Sequence, residues 1–171
     1  MKTFETERLI LREIQSTDEG RLFLLDSNPE VLKFIGIPTV ENIEQIRSLI
    51  QMLQNQYEEN GIGRWAVIEK ESGILIGWSG LKYCRDTTNN HSNFYDLGYR
   101  FLPEYWGRGY ATETSNFWLE YAFNTLNQTE VFATTDVNHT ASKNVLQKVG
   151  FKWIETFDYE GDLTDWWKIE K

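Results

Sequence analysis

Between Leu97 and Glu113 the chain reads Leu-Gly-Tyr-Arg-Phe-Leu-Pro-Glu-Tyr-Trp-Gly-Arg-Gly-Tyr-Ala-Thr-Glu, and this stretch limits the fold more than any other. An apolar, aromatic run is stopped by Pro103 and passes through Gly107-Arg108-Gly109 into a helical pattern that begins at Tyr110. A strand that enters a helix through Gly-x-Gly aims unpaired backbone N–H groups and the positive end of the helix dipole at one point. Anions bind at such points, and glycine lets a phosphate reach the backbone without a β-carbon in the way. Arg108 adds a cation within reach. Other phosphate loops fit less well. A nucleotide P-loop ends in Gly-Lys-Ser/Thr where this chain has Tyr110-Ala111, and a dinucleotide fingerprint needs a third glycine where it has Thr112.

The rest of the chain supplies alternating strands and helices around this segment. Glu7 to Arg12 reads as a first strand, Asp18 to Leu25 as a helix, and Pro29 as the opening of a second, short one. Ile43, Ile46, Ile50, Leu53 and Tyr57 recur every three or four residues, which predicts a helix over 41–59 closed by Asn60-Gly61. Strands follow at 64–69 and 74–83, joined by a short polar turn with Gly73, then a polar loop over 85–93 and a fourth strand at 94–101. A helix over 110–126, a strand over 130–136, a helix over 140–149 ended by Gly150, and a hairpin of 153–159 with 163–169 complete the pattern. The order predicts an α+β, or α/β sandwich, fold around one mixed and mostly antiparallel sheet of six to seven strands flanked by helices.

Composition narrows what such a domain does. The 171 residues suit one domain over 1–171. A formal net charge of −9 has the wrong sign for holding a nucleic acid backbone by counterion release, so direct nucleic acid binding is not expected. Cys84 is the single cysteine, which forms no internal disulfide and points to a reducing compartment. Lys2, Glu5 and Glu7 interrupt the amino terminus, and no apolar run approaches the length of a membrane span. A cytoplasmic protein without a membrane partner is expected.

Taken with its neighbours, the glycine segment resembles the GCN5-related N-acetyltransferase (GNAT) family, specifically the branch that acetylates ribosomal-protein amino termini. The resemblance rests on Glu7-Arg8-Leu9-Ile10-Leu11-Arg12, on Asp96-Leu97-Gly98-Tyr99, on the run from Pro103 to Glu113, and on Asn138 to Ser142 leading into Lys148-Val149-Gly150-Phe151. It implies a sheet splayed after the fourth strand. It also implies acetyl-CoA as the cofactor, with its pantetheine arm bonded to backbone groups around Phe101 and Leu102 and its pyrophosphate on the amides of Gly107, Arg108, Gly109, Tyr110, Ala111 and Thr112. Asn138 matches the family's asparagine beside that arm, while Ser142 and Asn144 lie on the following helix, where they can face the cofactor.

Two positions depart from the family pattern. Glu104 stands where relatives often carry Gln or Arg, which leaves backbone contacts intact, and Leu146 occupies the place of a tyrosine that reprotonates the CoA thiolate in many relatives. Acetyl transfer to an amine needs removal of an ammonium proton, a contact for the developing oxyanion and departure of thiolate. Asp96, in the place where histone-acetylating relatives carry a base glutamate, is the candidate base; strand alternation sets it with Gly98 and Arg100. Ser142 is the candidate acid or thiolate partner.

The final hairpin carries Glu155, Asp158, Glu160, Asp162 and Asp165, and the resemblance makes it a wall of the acceptor site. These carboxylates are expected to attract a cationic amine, with Trp78, Trp166 or Trp167 shaping the pocket. Gly77-Trp78-Ser79-Gly80 is followed by Leu81 rather than the glycine of a nucleophile elbow. His91 and His139 have no accompanying metal pattern and read as polar loop residues, and Cys84 reads as a strand-end residue. The reading is acetyl transfer by direct attack in a ternary complex, onto a protein amino terminus or a small cationic amine, by a monomer or homodimer. A catalytically idle acyl-CoA sensor is the alternative.

Overall fold

The computed structural model describes residues 2–171. Strands β1 (Thr3–Glu5) and β2 (Leu9–Arg12) lead through one 3-10 turn into helices α1 (Glu19–Asp26), α2 (Pro29–Leu32) and α3 (Ile43–Asn60). A three-stranded meander, β3 (Arg64–Glu69), β4 (Leu75–Cys84) and β5 (Phe94–Phe101), precedes α4 (Tyr110–Asn124). Then come β6 (Glu130–Asp136), α5 (Thr140–Lys148), β7 (Lys152–Tyr159) and β8 (Asp162–Glu170). All strands join one sheet in the order β1-β2-β3-β4-β5-β6-β8-β7, so the fold class expected from the sequence is present. The sheet has one strand more than the pattern predicts, because β1 has only three residues, too few to show alternation.

Local chemistry accounts for the element ends. The Asn42 side chain accepts from the Gln45 amide while the Gln45 side chain accepts from the Asn42 amide, and Gly61 closes α3 in the left-handed region at φ 69°. In the β7–β8 turn Glu160 and Gly161 both take positive φ, 54° and 98°, which suits the twist of a tight hairpin.

Strand alternation sorts residues to two faces. Leu9, Leu11, Trp65, Val67, Leu97 and Phe101 pack with Trp118, Ala122 and Leu146 of α4 and α5. Ala66, Ile68 and Leu75 pack with Leu22, Leu25, Ile46, Ile50 and Leu53 of α1 and α3. Burying each of these large side chains contributes about 1.5–3 kcal/mol. The sheet is continuous except at one seam: β5 and β6 run parallel and share a single register pair, Asp96 opposite Phe132. Beyond Asp96 the strands diverge toward their carboxyl ends. The expected splay therefore opens between β5, the fourth strand of the sequence reading, and β6.

Candidate active site

Helices α4 and α5 both start at the open end of this seam, since each follows directly on β5 or β6. Clefts beyond the carboxyl ends of adjacent parallel strands commonly receive ligands, and here two helix N-termini border one. At the α4 side Gly107 and Gly109 take φ 72° and 82°, a conformation that costs other L-residues about 1–2 kcal/mol. The first backbone bond of α4 runs from the Glu113 amide to the Gly109 carbonyl at 3.0 Å. The amides of Tyr110, Ala111 and Thr112 thus have no acceptor within the helix, and no side chain caps it. Gly107, Arg108 and Gly109 are exposed. A turn of this shape fits an anionic diphosphate.

The connection between β1 and β2 holds this turn in place. Arg8 donates from Nη1 to the Arg108 carbonyl at 2.8 Å and from Nε to Glu113 Oε2 at 2.7 Å. Glu113 Oε1 also accepts from the Arg8 amide at 2.9 Å and the Thr6 hydroxyl at 2.6 Å. Burial pushes the Glu113 carboxyl up, and the bonds from Thr6 and Arg8 outweigh it and hold it below its ordinary range. Below the turn, the Tyr110 hydroxyl donates to Glu69 Oε1 at 2.6 Å, and that bond, with one from Ser72, lowers the Glu69 carboxyl. Arg108 is about half exposed, at 52%, with Nη1 3.8 Å from Glu69, so its guanidinium remains available to a ligand.

Antiparallel pairing decides which backbone groups of β5 face the gap. The Leu102 amide donates to Ile76 of β4, and in an antiparallel pair the bonding side alternates. Arg100 and Gly98 therefore turn their backbone groups toward β4, while Tyr99 and Phe101 turn theirs toward the seam. The Phe101 carbonyl accepts from Trp106 Nε1 at 2.7 Å, leaving its amide and the Tyr99 groups open. At Leu102 the amide is spent on Ile76, and the carbonyl accepts from Tyr105 with one lone pair remaining.

On the α5 side, Asn138 is exposed in the turn after β6, with its amide bonded to Asp136 Oδ1 at 2.7 Å. Asn144 is exposed on α5. Ser142 faces back across the seam, its hydroxyl 3.0 Å from the Tyr99 hydroxyl. Burial raises the Tyr99 phenol to about 12, so it keeps its proton throughout the neutral range. His139 is not a free loop residue. It caps α5, accepting at Nδ1 from the Ser142 amide, and its ring packs on Phe34 with centroids 4.5 Å apart. Burial lowers its pKa below the ordinary 6.5, with Asp136 opposing the effect.

Asp96 lies at the closed end of the seam, on the face that carries α1 and α3. Its Oδ2 pairs with Arg64, whose Nη1 also donates to the Asp96 carbonyl at 2.8 Å; no bond is made to Oδ1 among the described residues. Arg64 lies over Gly98, where a β-carbon would come within 2.6 Å of the guanidinium. Of the five hairpin carboxylates only Asp165 is buried, while Glu155, Asp158, Glu160 and Asp162 are exposed. Asp165 is buried and bound to Lys143, Trp153 and Thr156; Asp158 bonds the turn amide of Gly161; Glu155 bonds Asn89. Trp166 and Trp167 are core residues, 1% and 2% exposed, and only Trp78 stands beside charged groups, between Arg64 and Arg100. His91 packs on Phe132 and Trp166, and among the described residues no group of three His, Cys, Asp or Glu can hold a metal ion. Cys84 ends β4, and burial raises its thiol to about 11, which leaves it a poor nucleophile.

A glycine turn with unpaired helix amides beside a splayed parallel seam suits an acyl-CoA-dependent transferase. The acetyltransferase (GNAT) domain family matches residues 8–152, and the chain belongs to that family. An N-acetyltransferase of Bacillus subtilis, YoaA, named as uncharacterized, is 33% identical over 148 residues, which cover 86% of this chain and 81% of YoaA. The protein is thus an enzyme, an acyltransferase of a family that uses acetyl-CoA.

Solved structures agree in fold. The spermidine N-acetyltransferase of Vibrio cholerae, in complex with CoA and spermine, superposes with a TM-score of 0.77 at 19% identity, covering 96% of each chain. The ribosomal-protein-S5-alanine acetyltransferase of Vibrio fischeri gives 0.75 at 17%, covering 99% of this chain and 97% of that one. These two differ in the acceptors they are named for, and at such identity each speaks for the fold alone. No described helix is long and apolar enough to cross a membrane.

Proposed function

We propose that residues 1–171 form a single N-acetyltransferase domain that moves acetyl from acetyl-CoA to a primary amine, by direct attack within a ternary complex. The observation that carries this reading is the seam itself: open β5 backbone groups on one side, Ser142 on the other, and the Gly107–Thr112 amides at its mouth. Those amides and Arg108 would hold the pyrophosphate, and the Tyr99 and Phe101 backbone, with Asn138 and Asn144, would line the pantetheine arm. Acetyl-CoA supplies the acetyl group as an activated thioester.

Asp96, through its uncommitted Oδ1 and a water, takes the proton as the amine nitrogen bonds to the carbonyl carbon. Ser142, held by the protonated Tyr99 hydroxyl, donates its proton to the sulfur as the carbon–sulfur bond breaks, so CoA leaves as a thiol; water then reprotonates the serine oxygen, and Asp96 releases the amine's proton to solvent. Tyr99 was not singled out in the sequence, and it answers the tyrosine missing at Leu146. The acceptor is a small amine or a protein amino terminus, and the compartment is cytoplasmic. The relatives' names favour this enzyme over an idle acyl-CoA sensor. Release of CoA measured with a panel of small amines and amino-terminal peptides tests the reading. Amine-dependent release supports it, and tight acetyl-CoA binding with no release by any amine overturns it.

A further inference from the structure

On the sheet face that carries α1 and α3, two arginines flank one tryptophan beside the seam. Register places Trp78 of β4 opposite Arg100 of β5, and the guanidinium carbons of Arg100 and Arg64 stand 5.0 and 5.4 Å from the Trp78 ring. Arg100 occupies β5 between Tyr99 and Phe101, the two residues whose backbone faces the seam. Its side chain therefore lies on the opposite face from α4 and α5, one residue from the backbone groups proposed to line the pantetheine arm. It is nine-tenths buried, and it makes one bond, from Nη1 to Asp26 Oδ1 at 2.5 Å. Its Nε is buried and has no acceptor among the described residues. A buried donor left unpaired is costly, and a guanidinium accepts two oxygens side by side better than any other side chain does.

The carboxylates nearby are already engaged: Asp26 by Arg100, and Asp96 by Arg64 through one oxygen. The hairpin carboxylates Glu155, Asp158 and Asp165 are bonded elsewhere. Glu160 and Asp162 stay exposed at the hairpin turn, while on the strand face itself Arg64 and Arg100 set two guanidiniums beside Trp78, and the Arg100 Nε–H is left unpaired among the described residues. Resting on the acetyltransferase reading, we propose that the acceptor is an amine that carries its own carboxylate, an amino-acid-like molecule, and that Arg100 receives that carboxylate. The amine, a few bonds away, is then directed at the seam. The neighbouring guanidiniums also favour its neutral, nucleophilic form over the ammonium.

The test compares free amino acids, the corresponding amino-acid amides and spermidine as acceptors at saturating acetyl-CoA. The proposal predicts kcat/KM for the carboxylates at least about tenfold above the amides and spermidine, the worth of one charge-assisted bond. In Arg100→Lys, which keeps a cation for Asp26 but loses the fork, the ratio should fall to near one while acetyl-CoA affinity stays unchanged. Equal use of amides or spermidine, or a ratio that survives Arg100→Lys, overturns the proposal. Calorimetric titration of the same compounds into the CoA-saturated protein reads the preference without turnover. Preferential carboxylate binding with no acetyl transfer would defeat the catalytic reading and leave this one standing; transfer with equal binding of amide and carboxylate would do the reverse.

Discussion

The proposed cofactor loop turns on Gly109, whose φ of 82° is open to glycine and strained for a β-branched residue. In Gly109→Val the turn must relax, and losing even one charge-assisted amide bond to phosphate weakens binding about tenfold or more. We expect acetyl-CoA affinity, by calorimetry, to fall by at least that factor while the melting temperature drops only a few degrees, as about 1–2 kcal/mol of backbone strain implies. Unchanged affinity would sink the pyrophosphate assignment. Ser142→Ala should lower kcat by about 10²-fold, the low end for proton transfer catalysis. Because Tyr99 acts through Ser142, adding Tyr99→Phe should cost little more, and additive losses would separate the two hydroxyls.

His139 gives the same site a pH dependence. Its cap on α5 requires a neutral ring that accepts from the Ser142 amide, and burial lowers its folded pKa. A depressed histidine contributes stability that is complete above its ordinary value near 6.5 and is lost as pH falls through the folded value. The α5 amino terminus should therefore exchange its amides faster below about pH 6. His139→Asn, which caps without titrating, should remove that acid response. A response that persists in the variant would place its source elsewhere.

At the scale of elements, two tethers decide whether the seam keeps its shape. The first binds α5 to β8 through Lys143 and Asp165 at 2.5 Å. Burial pushes the Asp165 carboxyl up, yet bonds from Lys143, Thr156 and Trp153 outweigh it and hold it below 3.8. Its contribution is present above that value and lost as pH falls below it. Lys143→Met should cost up to about 3 kcal/mol in denaturant unfolding, since the carboxylate stays buried with two neutral partners, and should move acid unfolding to higher pH. The second tether joins β2 to α4 through Arg8 and Glu113.

These tethers mark where sequence reading stops. The bounds of β3, β5 and β6 coincide with the runs visible in the sequence, because burial on alternating faces leaves a local pattern. The Gly-x-Gly loop is legible for the same reason: everything it needs lies within a few residues. Arg8 and Glu113 sit 105 positions apart, and Tyr99 and Ser142 sit 43 apart, so their meeting depends on sheet order, which no periodicity records. The hairpin carboxylates are legible as a cluster in sequence, but that Asp165 alone is buried against Lys143, and that Arg64 and Arg100 come together from other strands, depends on sheet order.

For the molecule as a whole, the net charge of −9 is spread over a surface whose site is locally basic or neutral. Arg8 and Arg108 offset Glu113 and Glu69 at the phosphate loop, and Arg64 and Arg100 offset Asp96 and Asp26 on the acceptor face. On the proposed reading, one sheet brings an anionic cofactor and an amine together from opposite faces through a single seam. Burial raises the Cys84 thiol to about 11, at the far end of β4. The proposed direct attack requires both substrates to be bound at once. Initial rates measured while acetyl-CoA and the amine are varied against each other test this most directly. Intersecting lines, with no CoA released before amine is added, are predicted; parallel lines with a burst of CoA from enzyme and acetyl-CoA alone would contradict the account.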